Sequence, residues 1–166
     1  MCGMENYKKT YDMATQKLLR QAAEIDRVSL SQFDAQYTLY DIVYVLRNLY
    51  ADEKFRRKFV GQDAFQRFVP WTKGFCALSS ICIYELYGGG DVWEPSAIKP
   101  GVWEYAPVVY LQNKFTNMPF DTTGDQFAPL AVPYHLGEPI NKHMRDMKTP
   151  NKAEFIKLVK HELDRR

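Results

Sequence analysis

The sequence predicts an α+β fold, in which N-terminal helices precede a core made of a helix packed on a small antiparallel sheet. Apolar residues return at intervals of three, four or seven through most of the first 70 positions, as in amphipathic helices. Between residues 101 and 127, β-rich stretches alternate with turn residues, as in hairpins. We therefore expect a helical region over residues 1–70 and a core with a C-terminal helix over residues 71–166, as two units or one continuous domain.

The helical region begins with an amphipathic pattern from Asn6 to about Ile25. Ser29 or Ser31 is an N-cap candidate for a second helix that extends to about Ala51. A third pattern starts at residue 52 and predicts one bent helix or two short ones, ending before residue 70. This segment includes a basic cluster, which predicts a solvated helix face, with an acidic or nucleic-acid partner as the alternative. The cluster consists of Lys54, Arg56, Arg57 and Lys58.

The core region opens with an apolar helical pattern that runs from Cys76 to about residue 87 and ends in three glycines. A loop with Pro95 and Pro100 follows, and then the β-rich stretch VWEYAPVVYLQNKF. Asn117 predicts a hairpin turn that leads into the short returning strand MPFDT. Residues 128–148 are typical of a loop, and Asn151 is an N-cap candidate for a last helix that should cover an edge or face.

Composition and charge exclude several classes of protein. The chain has 166 residues and a formal net charge of +2, too small a charge to indicate a nucleic-acid partner. No apolar run approaches the roughly 20 residues needed to span a bilayer, and the polar start lacks a secretory signal. The odd number of cysteines, three, indicates reduced thiols. We therefore expect a cytoplasmic protein without a membrane segment.

Cys76 is the first candidate for chemistry, because it stands at the start of a predicted helix. Unpaired backbone N–H groups and the helix dipole stabilise a thiolate at such a position, which makes it a stronger nucleophile. A base must still remove the proton. The alternative is that Cys76 is a small buried apolar residue, as free cysteines usually are.

The surrounding residues give Cys76 a context. Their order and spacing resemble the bacterial YunG-like proteins of the papain-like superfamily over roughly residues 71 to 127. The resemblance is carried by Trp71, Gly74, Cys76, Ala77, Ser79, Gly88, Gly89, Asp121, Thr123, Gln126 and Phe127. It implies a nucleophilic cysteine at the head of a helix on an antiparallel sheet, a histidine on a facing strand, and an aspartate or asparagine that orients the imidazole. Cys76 and Asp121 match the first and third members, although Asp121 could instead cap the turn that follows it.

The histidine that the resemblance implies is missing. Hairpin counting places it near Val109, and a valine cannot accept a proton. His135 is the remaining candidate base, in a proline-bounded loop that would have to fold back toward the start of the helix. The chain order would then be Cys, Asp, His, which a triad allows because it is defined by geometry. His143 and His161 are predicted to be solvated.

Metal and cofactor sites are not predicted. The cysteines and histidines lack the close pairs that zinc sites usually show, and the glycines at 88–90 follow a helix rather than lead one. Two functional hypotheses remain. The first is a diverged, catalytically impaired papain-like domain that binds another protein. The second is an active cysteine hydrolase or transferase that acts on an amide, thioester or peptide bond through Cys76, Asp121 and His135. The sequence leaves the oligomeric state open.

Overall fold

The computed structural model describes residues 2–60, 69–140, 149 and 151–166, and these residues form five α-helices and one four-stranded antiparallel sheet. The helices are α1 (Cys2–Ser29), α2 (Leu39–Ala51), α3 (Glu53–Phe59), α4 (Cys76–Leu86) and α5 (Lys152–Asp164). The strands are β1 (Trp93–Ile98), β2 (Val108–Asn113), β3 (Pro119–Phe120) and β4 (Glu138–Pro139). The predicted α+β class is confirmed.

The predicted start of the second helix at Ser29 or Ser31 is wrong, because α2 begins at Leu39. Thr38 is the N-cap, and its side chain accepts a hydrogen bond from the backbone N–H three residues on. The carboxylate of Asp26 accepts two more N–H groups from the first turn of α2. Ser29 is instead the last residue of α1, and its buried hydroxyl donates to the carbonyl of the preceding turn. The predicted bend of the next helix falls on residues 61–68, outside the described residues.

Strand β1 lies in a segment that the sequence predicted to be a loop, because Pro95 stands inside it. The sheet order is β3-β2-β1-β4, so β1 is an internal strand that pairs with β2 along its whole length. The carbonyl of Pro95 accepts a hydrogen bond from Ile140, just after β4, and the nitrogen of a strand residue points to the same side as its carbonyl. Pro95 therefore removes no donor from the β1–β2 ladder. Residues 102–105, which were predicted to be β-rich, form turns and bends instead.

One hydrophobic cluster joins the helices to one face of the sheet. It contains buried residues of all five helices together with Trp93 and Leu111 from β1 and β2. Residues on both sides of position 70 belong to it. A smaller cluster on the opposite face contains Ile98, Val108 and Tyr110, and the half-buried Trp103 and Phe127 pack against it.

The C-terminal helix α5 packs on α2 and α4 rather than on an edge or face of the sheet. Its fully buried Phe155 contacts the aromatic rings of Phe55 and Phe75. The predicted N-cap Asn151 holds the N-cap position with a left-handed φ of 64°, but its side chain makes no capping hydrogen bond. Burial of the aromatic face of α5 therefore decides where this helix lies.

The basic cluster on α3 is occupied mostly by intramolecular contacts. Arg57 pairs with Glu53 at 3.0 Å, and Lys58 pairs with Glu154 of α5 at 2.7 Å. Arg56 donates to the backbone carbonyl of residue 50 and lies over the ring of Trp71. None of the helices among the described residues is both long and apolar enough to cross a bilayer.

Candidate functional site

Cys76 is the first residue of α4, as the sequence predicted, and its side chain is half-buried. Gly74 precedes it with a left-handed φ of 89°, which turns the chain into the helix. Burial raises the pKa of the Cys76 thiol above its ordinary value. Hydrogen bonding by the backbone of Val109 and of the first residues of α4 opposes this rise, whereas the negative charge of Asp121 adds to it. The net direction is upward, so the helix start does not compensate for burial.

Val109 lies next to Cys76, at the position where hairpin counting places the missing histidine. Asn113 donates its N–H to Met118 across the β2–β3 hairpin, and N–H groups two residues apart on a strand point the same way. The N–H of Val109 therefore points toward the β3 side. Strand β3 pairs only with Leu111 and its neighbour, so Val109 lies beyond its end and its N–H is available to the thiol. The Val109 side chain packs against the main hydrophobic cluster.

Asp121 follows directly after β3 and accepts three hydrogen bonds. Its Oδ1 accepts the backbone N–H and the hydroxyl of Thr123, both at 2.9 Å, which is the turn-capping arrangement. Its Oδ2 accepts the hydroxyl of Tyr134 at 2.7 Å. Burial raises the pKa of Asp121, while the hydrogen bonds from Tyr134 and Thr123 lower it. The hydroxyl of Tyr134 thus binds the carboxylate that, by the resemblance, would orient an imidazole.

His135 is exposed in the short 3-10 helix Tyr134–Leu136. Its neighbour Tyr134 faces Asp121, and successive residues of a 3-10 helix point in directions about 120° apart. Among the described residues, no hydrogen bond or ion pair joins His135 to Cys76 or Asp121. His161 is exposed on α5, as predicted, and His143 lies outside the described residues. Among the histidines that the structure describes, none lies beside Cys76 and Asp121.

Arg47 of α2 is a residue of this region that the sequence analysis missed. Its guanidinium uses all five N–H groups within the protein. Nε donates to the hydroxyl of Thr15 at 2.8 Å, and the two Nη atoms donate to both carboxylate oxygens of Asp125 at 2.8 and 3.0 Å. The other two bonds reach the carbonyls of Thr122 and Tyr11. Arg47 thus ties helices α1 and α2 to the turn that carries Asp121.

A cleft of about 300 Å³ opens between α1 and the segment that contains β3 and Tyr134. Asp121, Asp125 and the Tyr134 ring form its polar side. Ala14 and Leu18 of α1 contribute apolar wall, as do Met118 and the proline that follows it. Cys76 does not line the cleft. Asp121 lines it and also acts electrostatically on the Cys76 thiol, so it connects the cleft with the cysteine.

The donor set of the site supports no metal centre. Within the part of the chain that the structure describes, no group of three or more histidine, cysteine, aspartate or glutamate side chains is arranged to hold an ion. Asp125 is engaged by Arg47, and Asp121 by neutral donors. The chemistry available at this site is therefore that of a thiol, a carboxylate and backbone N–H groups.

No protein-family model matches this chain, and the comparisons with curated proteins and with solved structures also give no match. The resemblance to YunG-like proteins therefore stays a prediction drawn from residues 71–127.

Proposed function

We propose that this protein is a diverged papain-like domain that has lost cysteine-dependent catalysis and acts by binding another protein. One observation carries the proposal: Val109, rather than a histidine, lies beside the Cys76 thiol. The placement of the cysteine at a helix start and of Asp121 after a short strand supports the papain-like part of it.

The loss of catalysis follows from the protonation state of the thiol. Only a thiolate attacks an acyl carbon efficiently, and cysteine nucleophiles are activated by a neighbouring base or a lowered pKa. Cys76 has neither among the described residues, because burial raises its pKa and Asp121 opposes a second negative charge. At neutral pH the group is a thiol.

The competing hypothesis is an active cysteine hydrolase or transferase in which His135 serves as the base. It requires the exposed imidazole of His135 to reach Cys76, and it requires Asp121 to exchange the Tyr134 hydroxyl for that imidazole. The two hypotheses differ in the state of the Cys76 thiol at mildly acidic pH.

Alkylation of Cys76 by iodoacetamide tests this difference. Cys2 and Cys82 are first changed to alanine, so that Cys76 is the one thiol whose alkylation is measured. Because the pKa of Cys76 is raised, we expect slow alkylation at pH 6, with a rate that climbs only as the pH passes the free-thiol value of about 8.5. His135→Ala should leave the whole pH profile unchanged, as should the matched control His161→Ala. Rapid alkylation at pH 6 that His135→Ala abolishes would establish the enzyme instead.

A further inference from the structure

The cleft beside Asp121 offers a negative charge that the described residues do not balance. The described part of the chain places no lysine, arginine or histidine nitrogen within 4 Å of the Asp121 carboxylate, whose three hydrogen-bond donors are all neutral. Charges shielded from water are normally paired, because desolvation is otherwise costly. Asp121 is half-buried, and burial is the largest influence on its pKa, which it raises.

Asp125 faces the same cleft but is already neutralised. Both of its oxygens accept hydrogen bonds from the guanidinium of Arg47, whose side chain is 1% exposed. Within the described ranges, the cleft therefore presents one uncompensated carboxylate, that of Asp121, because Asp125 is paired. The other charged side chain on its walls is Lys17 of α1, which is exposed and not paired with Asp121.

The carboxylate is held in a fixed position before any ligand arrives. Thr123 holds one oxygen and Tyr134 the other. Gly124 packs against this pair so closely that an added Cβ would lie 2.7 Å from the Tyr134 hydroxyl and 3.3 Å from Asp121 Oδ2. A group fixed in this way loses little freedom when it binds a ligand, which favours affinity.

The walls of the cleft suit an aliphatic stem. Leu18 and Ala14 line it from α1, and Met118 lines it from the hairpin with 61% of its surface exposed. Methionine side chains adapt readily to the shape of a bound group. A volume of about 300 Å³ accommodates one long side chain.

We propose that this cleft binds a basic side chain of the protein partner, with its cation against Asp121 and its stem between Leu18 and Met118. The inference rests on the proposed binding function and names the chemistry that the partner presents. Lysine and arginine both carry a cation on an aliphatic stem, and both bury that stem against apolar surface.

Binding can be measured with Nα-acetyl-lysine methylamide as the probe and the Nε-acetylated form of the same compound as its matched control. In the full-length protein labelled with ¹³C at the methionine methyl groups, the Met118 signal reports on the cleft and that of Met4, near the start of α1, serves as the distant reference. We expect a saturating shift of Met118 with Met4 unchanged, with a dissociation constant on the order of 1 mM, and no shift of Met118 with the acetylated control. Equal shifts with both compounds, or no saturating shift of Met118, would overturn the proposal.

Two substitutions then assign the effect to Asp121. Asp121→Asn should weaken binding of the probe by about tenfold or more, since it removes the charge and nearly preserves the shape. Lys17→Gln removes from the same wall a positive charge that repels the cationic probe, so binding should be equal or stronger. Unchanged affinity in Asp121→Asn would refute the inference. The comparison of the two probes on the unaltered protein needs no variant, so it decides the matter even if Asp121→Asn unfolds.

The outcome is separable from that of the proposed function. If Cys76 alkylates rapidly and through His135, the binding-only function fails, and lysine binding at Met118 would still establish the cleft. If Cys76 is inert and the probe does not bind, the inference about the cleft fails while the loss of catalysis stands.

Discussion

A single side chain decides the chemistry of the candidate site. The backbone N–H of Val109 donates to the Cys76 thiol, but the Val109 side chain is apolar and cannot act as the base that catalysis requires. Asp121 is present, yet its carboxylate is satisfied by Tyr134 and Thr123. Position 109 is therefore the residue at which the proposed loss of catalysis can be tested directly.

Val109→His should make Cys76 more reactive. The backbone of residue 109 contacts the thiol, so we expect an imidazole attached there to reach it and form an ion pair. Thiolates paired in this way have pKa values of about 3.5 to 7.5. Alkylation at pH 6 should therefore be at least about tenfold faster than in the parent, measured with Cys76 as the only cysteine. Gln112→His is the matched control, because its side chain points to the other face of β2. A rate at pH 6 equal to that of this control would show that position 109 does not face the thiol.

The positions of Cys76, Val109 and Asp121 could be predicted because they depend on local signals. The glycines around α4 mark its ends, and the hairpin turn at Asn117, whose φ is 56°, fixes the β2–β3 register. Arg47 depends on contacts between residues 32 to 78 positions apart. A signal existed, since an arginine within the apolar stripe of a helix indicates a buried charge in need of partners, but the sequence does not identify those partners.

At the scale of elements, contacts of Tyr134 attach the segment after the 3-10 helix Gly124–Phe127 to the sheet. Tyr110 of β2 donates to the carbonyl of Tyr134 at 3.0 Å, and the two rings meet edge to face. Tyr134 in turn reaches Asp121. Strand β4 follows, and its pairing with β1 was not predicted because a two-residue strand leaves no periodic pattern in the sequence. Strand β1 was missed for another reason, because it contains Pro95. A proline is tolerated in a strand when its nitrogen faces away from the paired neighbour, and this orientation depends on the tertiary structure.

Gly137→Ala should loosen this fastening. An added Cβ would lie 1.9 Å from the Tyr110 hydroxyl and 2.7 Å from the ring carbon that bears it, so either the ring or the segment must move. We expect a loss of about 1 to 3 kcal/mol in the free energy of unfolding and faster amide exchange at residues 134–138.

Tyr110→Phe is the partner variant for that measurement. It removes the atom nearest to the new Cβ, so the double variant should be more stable than the sum of the two single losses predicts. Strict additivity of the two stability losses, or amide protection at residues 134–138 of Gly137→Ala equal to that of the parent, would show that the contact does not constrain the segment.

The whole molecule joins its helical half and its sheet through shared apolar contacts and one buried ion pair. The main cluster draws on α1 and α2 as well as on α4 and the sheet, and Arg47 spans the same boundary. The α+β class, with helices ahead of an antiparallel hairpin, was predictable because periodicity and turn residues are local. The packing position of α5 was not predictable, because the residues that its apolar face contacts lie about 80 to 100 residues earlier in the chain.

Phe155→Ala tests whether this molecule unfolds as one unit. The ring is fully buried among aromatic side chains of α3 and the α4 start, so its truncation should lower the free energy of unfolding by about 3 to 5 kcal/mol. In urea, far-UV circular dichroism follows mainly the helices, and tryptophan fluorescence includes the fully buried Trp93 of the sheet. With one shared core the two transitions should coincide and shift together, whereas Met13→Ala on exposed α1 surface should change stability by no more than about 0.5 kcal/mol. If the circular dichroism transition moves while the fluorescence transition stays, the helices and the sheet unfold independently and the shared cluster does not couple them.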